Sequence, residues 1–167
     1  SSGSYQWHTF YGVEGDGDTA FAIAVDGSGG VYATGYSYKT WNGPAGQAPL
    51  HAFSGDFNSN IVVLKLNSSG VYQWHTFYSD GTSLHSSNAI AVDGSGGVYV
   101  VGYSYGAWNG PAGENPLHAF SGSGDLVVLK LNDSGVYQWH TFYGSSGTDH
   151  GNAIAIDSSG GIYLAGL

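Results

Sequence analysis

Seven histidines carry the widest range of chemistry in this chain, because a neutral imidazole can act as a general base or ligate a transition metal. Three of them fall at one repeated position of an aromatic segment: His8, His75 and His140. A repeated strand position favours packing and a hydrogen bond inside a sheet over catalysis. The sequence has no His-x-x-x-His pair, no Gly-x-Ser-x-Gly turn and no Ser/His/Asp set with a defined spacing. We therefore expect that the chain is not an enzyme.

Acidic residues offer a second chemistry. The segment EGDGDT at 14–19 places Glu14, Asp16 and Asp18 at alternate positions of a glycine-rich loop. Carboxylate oxygens on a flexible backbone suit Ca²⁺, although the twelve-residue EF-hand pattern is absent. The third copy of this segment keeps only Asp149, which favours solvated turn acids over a metal site. We expect no cofactor, and Ca²⁺ is the one candidate ion.

Two long insertions could bind a ligand. They span 38–60 and 105–125 and share the motifs WNGPAG and PLHAFSG. Their tryptophans could serve as platforms for sugar rings, with histidine and asparagine as polar partners; the six candidates are Trp41, Asn42, His51, Trp108, Asn109 and His118. The simpler interpretation, which we favour, is that their Trp, Pro, Leu and Phe side chains form a small satellite core that fixes a long loop.

Two asparagines match the acceptor pattern for N-linked glycosylation, Asn67 in NSS and Asn132 in NDS. Both precede a glycine in equivalent turns. Asparagine and serine are also good turn residues, so the match alone does not separate a glycosylation site from turn chemistry.

Composition narrows the class of protein. The 167 residues are 41% hydrophobic and 9% charged, with a formal net charge of −9 and no cysteine. Nucleic acids and anionic membranes are bound through Lys and Arg, so neither is expected as a partner. No apolar run is long enough to span a membrane, and no signal peptide is recognisable. The abundance of Gly and Tyr is typical of extracellular or cell-surface β-proteins, and the start within a repeat suggests a mature or excised piece.

An internal repeat organises the whole sequence. Trp7, Trp74 and Trp139 mark three copies of YQWHTFY, 67 and 65 residues apart. Each copy is followed by AIAVD or AIAID, then by GGVY or GGIY, and then in two copies by VVLKLN. Short runs rich in Val, Ile, Tyr and Thr, separated by Gly, Asn and Asp turns, predict four strands per repeat.

Four antiparallel strands at a fixed period predict the blades of a β-propeller, an all-β fold in which each sheet packs on its neighbours. The predicted parts are an outer strand of a preceding blade at 1–12, blade 1 at 20–79, blade 2 at 87–144, and the first two strands of a further blade at 151–167. Eleven strands amount to about 2.75 blades, which is too few to close a ring alone. Flat apolar faces would then be exposed at both ends.

Several ordered motifs resemble the SBBP family of β-propeller repeats: GNAIAIDSSGGIYLAG at 151–166, DLVVLKLNDSG at 125–135 and YQWHTFYG at 137–144. The resemblance covers nearly the whole chain. It implies a propeller fold, often within large extracellular or cell-surface proteins of bacteria or archaea, and it brings no established catalytic residues. The sequence departs from the pattern in its longer insertions and in His85, which replaces Asp18 of the first repeat.

Three functions are compatible with these observations. The favoured one is a structural or adhesive repeat module of an extracellular or cell-surface assembly, whose partners are further blades of the same polypeptide or other copies of the chain. The alternative is a lectin-like propeller that binds carbohydrate through the insertions, with glycans as partners. An enzyme on the loop face is the least favoured. The ligand and the total number of blades stay open.

Overall fold

All regular structure in the described part of the chain is β. The computed structural model describes residues 3–15 and 17–167, and within them no helix is long and apolar enough to cross a membrane. The strands are β1 (Thr19–Val25), β2 (Val31–Ser37), β3 (Asn60–Leu66), β4 (Tyr72–Tyr78), β5 (His85–Val92), β6 (Val98–Ser104), β7 (Asp125–Leu131), β8 (Tyr137–Tyr143), β9 (Gly151–Ile156) and β10 (Ile162–Gly166).

Sequence neighbours pair in every sheet. Blade 1 has the strand order β1-β2-β3-β4 and blade 2 the order β5-β6-β7-β8, while β9 and β10 form a two-stranded sheet. All pairs are antiparallel. The two complete sheets confirm the predicted four-stranded blades, and no ring is closed. The sheets follow from local sequence, since each strand is bounded by a tight turn rich in Gly, Ser, Asp or Asn.

An aspartate fixes the turn between the first two strands of each blade. Asp26 Oδ1 accepts hydrogen bonds from the backbone N–H groups of Ser28 and Gly30, at 2.9 and 2.8 Å. Its other oxygen accepts from the Tyr32 hydroxyl at 3.1 Å. The Ser28 hydroxyl, together with these other donors, lowers the pKa of Asp26 to about 2. This turn positions the strands and is repeated at Asp93 and Asp157.

The two faces of a blade carry different side chains, because side chains alternate along each strand. We call the face with Ile23, Ala33 and Leu64 in blade 1 the leading face; these residues lie directly opposite one another on β1, β2 and β3. The trailing face carries the row Tyr32, Lys65 and Trp74 on β2, β3 and β4. In blade 2 the corresponding rows are Ile90, Val100 and Leu129, and Tyr99, Lys130 and Trp139.

The core lies between the blades. Buried residues of the trailing face of blade 1 and the leading face of blade 2 form one apolar cluster. Trp74 is 8% exposed, and its indole N–H donates to the carbonyl of Asp133 in the neighbouring blade at 3.1 Å. Near the inner strands, the Ser87 hydroxyl donates to the Gly35 carbonyl at 2.8 Å. The two sheets are thus joined by hydrogen bonds at both margins of an apolar contact.

A glycine allows the tryptophan to approach the next blade. Gly135, in the turn between β7 and β8, has φ 78, and a Cβ at this position would lie 2.8 Å from Trp74 Cδ2 and 2.5 Å from Leu50 Cδ1. Gly70 has the same relation to Trp7, with a Cβ 2.6 Å from Trp7 Cδ2. The aromatic ring therefore occupies the space that any larger residue in the turn would need.

The prediction of an outer strand at residues 1–12 requires a correction. Within 3–12 the chain forms no strand, because no described segment holds the position that β3 holds beside β4, and the ladder hydrogen bonds have no partner. The described chain therefore has ten strands rather than eleven. The side chains nevertheless match an outer strand: the Trp7 indole donates to the Ser68 carbonyl at 3.2 Å, as Trp74 does to Asp133.

Substitution of Gly135 tests the contact between blades. Gly135→Ala should lower the free energy of unfolding by about 2–5 kcal/mol, because it adds a clash with Trp74 to the cost of a left-handed backbone. Gly113→Ala is the matched control, since φ is 89 there and nothing lies within 4 Å of the added Cβ. The control should lose only about 1–2 kcal/mol in urea titrations. Equal losses in the two variants would contradict the proposed packing.

Candidate functional site

The two insertion loops fold back over the outer strand of their own blade. Loop 38–59 connects β2 to β3, and its Leu50 N–H donates to the His75 carbonyl at 2.9 Å. The Phe77 N–H in turn donates to the His51 carbonyl at 3.2 Å. Loop 105–124 repeats both bonds on β8. The loops thereby use backbone groups that the edge strand would otherwise expose.

Each loop is anchored by a buried tryptophan. Trp41 stacks on His75, with ring centroids 3.9 Å apart and 9° between planes, and Trp108 stacks on His140 with the same geometry. The two indoles are 9% and 5% exposed. The ring of Tyr78, in the preceding blade, lies beside the Trp108 ring, with the two ring centroids 5.8 Å apart. The Trp108 ring lies between the two blades, whereas the Trp41 ring packs beside Tyr11 of the segment before blade 1, with ring centroids 5.9 Å apart. Both rings are largely buried, as a satellite core requires, and Trp41 reaches solvent only at the lining of an apolar groove on blade 1.

The four polar residues among the ligand-binding candidates do not lie beside the tryptophan rings. His51 Nδ1 is 2.6 Å from the Phe77 carbonyl, and its ring stacks on Tyr78 at 5.0 Å. His118 is exposed, with Nδ1 3.2 Å from the Thr141 hydroxyl. Asn42 and Asn109 are also exposed. The six predicted ligand-binding residues therefore lie in the same two loops. The four polar residues among them do not form a common accessible surface with the two tryptophans.

The strand histidines are held in one protonation state by two partners. His75 Nε2 lies 2.9 Å from the Trp41 carbonyl and must carry a proton, since a carbonyl only accepts. Nδ1 then accepts from the Tyr72 hydroxyl at 2.8 Å. Burial lowers the pKa of His75, and the same is true of His140. Both ring nitrogens serve the blade, as the repeated position predicts.

The acids of the first loop are engaged within the protein. Asp18 accepts hydrogen bonds from the Val13 N–H at 2.7 Å and from the Ser37 hydroxyl. Glu14 is exposed, and Asp16 lies outside the described residues. Among the described residues no three His, Asp or Glu side chains are grouped so as to hold a metal ion. A Ca²⁺ site at Glu14, Asp16 and Asp18 stays a prediction.

In blade 2, His85 occupies the position that Asp18 holds in blade 1, and a carboxylate lies beside it. His85 Nδ1 lies 2.6 Å from the Ser104 hydroxyl, where Asp18 meets Ser37. His85 Nε2 lies 2.8 Å from Asp80, a carboxylate that also accepts from the Thr82 and Ser83 N–H groups. Burial lowers the pKa of His85 despite this carboxylate. No pattern in the local sequence predicts that Asp80 is the residue that pairs with the buried His85.

The two glycosylation candidates act as turn residues. Asn67 Oδ1 accepts from the N–H groups of Ser69 and Val71, both at 2.9 Å, and Asn132 does the same one blade later. This explains why asparagine occupies the two positions. Glycosylation itself stays a prediction.

Four-stranded antiparallel sheets that repeat along the chain and pack face to face define a β-propeller blade array. A family model described as a β-propeller repeat, SBBP, matches residues 6–39, 73–107 and 138–167. The chain therefore belongs to the SBBP β-propeller repeat family, as its motifs predict. The stretches between the matches contain most of the two insertion loops. No curated protein matches the chain.

Removal of an anchoring tryptophan tests the structural role of the loops. Trp108→Ala should lower the free energy of unfolding by about 3–5 kcal/mol, because it empties a buried aromatic site between two blades. Asn109→Ala is the adjacent control at an exposed position and should change it by less than about 0.5 kcal/mol. Chemical denaturation followed by circular dichroism measures both. A Trp108→Ala protein as stable as its parent would refute the satellite core.

The buried histidines predict acid sensitivity. In His75, His85 and His140 the folded pKa lies below the ordinary value of 6.5, so the unfolded chain binds more protons as pH falls below 6.5. Stability should be full above about pH 7 and should decline between about pH 6.5 and 5. Urea titrations across this range measure the slope. A free energy of unfolding that is constant or rises as pH falls would contradict the assignment.

Proposed function

We propose that this chain is a structural, adhesive repeat module of an extracellular or cell-surface protein, which works by stacking its blades on further blades of the same polypeptide or on other copies of the chain. The observation that supports this most directly is an exposed leading face on blade 1. The same face in blade 2 is covered by a neighbouring blade.

Equivalent residues of the two leading faces differ sharply in exposure. Ile23 is 68% exposed, whereas Ile90, at the same position in blade 2, is 8% exposed. In blade 1 the face opens into a groove of about 340 Å³, lined mainly by apolar side chains of β1–β3 and of residues 7–11. Exposed apolar patches of this kind mark interaction surfaces. The surface that fits it is a trailing face like the one that covers Ile90.

Such a trailing face is exposed at the other end of the array. Tyr78 of blade 1 is 2% exposed, and its counterpart Tyr143 in blade 2 is 47% exposed. Tyr163 of β10, which corresponds to buried Tyr32, is 61% exposed. The two ends are therefore the two halves of one interface. A contact between them is heterologous, so it adds copies in a head-to-tail series.

The other candidate functions draw little support from the geometry. A lectin-like role would need accessible tryptophan rings, and Trp41 and Trp108 are buried. Catalysis would need a titratable group free to meet a substrate, and His75, His85 and His140 each have both ring nitrogens engaged. Charged residues make up only 9% of the chain, which suits stacking through apolar faces, while the net charge of −9 opposes association at low ionic strength.

Complementary variants test stacking. Ile23→Asp places a charge on the leading face, and Tyr163→Asp places one on the trailing face of β10. Each variant alone should sediment as a monomer at concentrations where the parent associates. An equimolar mixture should form one-to-one dimers, because one intact face of each kind is left.

Phe57→Asp is the matched control, since Phe57 is 89% exposed on an insertion loop and does not line the groove on the leading face. It should associate like the parent. A parent that is monomeric at all accessible concentrations, or a mixture that stays monomeric while the parent associates, would contradict head-to-tail stacking.

A further inference from the structure

A buried carboxylate lacks half of its hydrogen bonds at the start of β7. Asp125 is 0% exposed. Its Oδ2 accepts from the backbone N–H and the hydroxyl of Ser121, at 2.6 and 3.3 Å. Its Oδ1 is inaccessible to solvent and has no hydrogen-bond partner among the described residues. A buried carboxylate oxygen without a partner is costly, so such a group calls for a positively charged or proton-donating neighbour.

Blade 1 shows what a neutral residue does at this position. Asn60 occupies the equivalent place at the start of β3 and is also 0% exposed. Its Oδ1 accepts from the Ser54 N–H at 3.0 Å, and its Nδ2 donates to the Ser54 carbonyl at 2.8 Å. An ionised aspartate cannot make the second bond. The change from Asn to Asp in blade 2 therefore creates the orphaned oxygen.

A second carboxylate lies beside it. A Cβ built on Gly144 would overlap Asp125 Oδ1 and would lie 3.0 Å from Asp149 Oδ2. Both oxygens therefore lie within 3.0 Å of one point. Asp149 Oδ2 also accepts from the Ser145 N–H at 2.8 Å. The link 144–150 between β8 and β9 thus brings the Asp149 carboxylate near the unpaired Oδ1 of Asp125.

The corresponding junction between blades 1 and 2 has a different set of groups. It has Asn60 in place of Asp125, Ser79 in place of Gly144 and His85 in place of Asp149. There the buried groups satisfy one another, through Asn60 with Ser54 and His85 with Ser104. The junction between blade 2 and β9 instead places two acids, Asp125 and Asp149, close together. Two of the three lysines, Lys65 and Lys130, lie over tyrosine rings on the trailing faces, 4.9 Å from the ring centroids.

We propose that Asp125 and Asp149 bind a hard divalent cation, of which Ca²⁺ is the best match, at the junction of blade 2 with β9. Ca²⁺ takes about six to eight oxygen ligands at about 2.3–2.6 Å and accepts a mixture of carboxylates, backbone carbonyls and water, so backbone carbonyls and water would have to complete the site that the two carboxylates begin. The cation supplies the positive charge that the orphaned Oδ1 lacks. It also ties the end of the insertion loop to the link that leads into β9. The site is separate from the loop at 14–18.

Terbium is a direct probe, because Tb³⁺ replaces Ca²⁺ and emits when an adjacent aromatic ring is excited. Tyr105 contacts the residue before Asp125, since a Cβ on Gly124 would lie 2.8 Å from the Tyr105 ring. Addition of Tb³⁺ to the full chain should give sensitised emission that excess Ca²⁺ removes. Addition of about 5 mM Ca²⁺ should raise the unfolding temperature of the parent by about 2–4 °C, for a Kd of roughly 10⁻³ M.

Asp125→Asn is the decisive variant, because blade 1 folds with asparagine at this position. It should weaken Tb³⁺ binding at least tenfold and abolish the Ca²⁺-dependent rise in unfolding temperature. In the absence of metal it should be at least as stable as the parent. Asp133→Asn, at an exposed acid of the same blade, should leave binding unchanged.

Three results would overturn the proposal: a parent that gives no sensitised emission, a parent whose unfolding temperature does not respond to Ca²⁺, or emission that survives in Asp125→Asn. The last result would assign the metal to another group of acids, such as the loop at 14–18. None of these results tests blade stacking, which is tested separately by the mass of the particles in sedimentation.

Discussion

The structure depends on the contact of one blade face with the next. A single four-stranded sheet of this sequence is apolar on both sides, so neither face can be left in water without a cost in free energy. Large rings carry most of this contact: Trp74 and Tyr78 extend from the outer strand of blade 1 to blade 2. Where the neighbour is present the side chains are buried, and where it is absent, as at Ile23 and Tyr143, the same residue types are exposed.

The insertion loops cover the open edge of each four-stranded sheet. Each outer strand ends a blade and would leave a row of unpaired N–H and C=O groups, which invites unspecific pairing. The segments around Leu50 and Leu117 donate to that row, and Trp41 and Trp108 fix the loops by stacking on the histidines of the same strand. The motifs that look most like a ligand site are thereby explained by the stability of the blade.

Much of this could be predicted from local sequence, because strand composition and turn residues act over short distances. The four-stranded blades, the packing role of the repeated histidines and the satellite core around Trp41 follow from such patterns. The absence of a strand at residues 3–12 could not be predicted from them, because the pairing of an outer strand depends on a neighbouring strand, equivalent to β3, that no described segment supplies. The role of Asp80 beside His85 and the orphaned oxygen of Asp125 also depend on backbone paths through loops, which no spacing rule specifies.

The central claim is that each blade is stabilised chiefly by its neighbours, and native-state hydrogen exchange measures this strand by strand. The amides of β6 and β7, which have a sheet on each side, should exchange only through global unfolding. Those of β10, with one neighbouring sheet and an open edge, should exchange through a local opening of much lower free energy. Protection in β10 equal to that in β6 would contradict the claim.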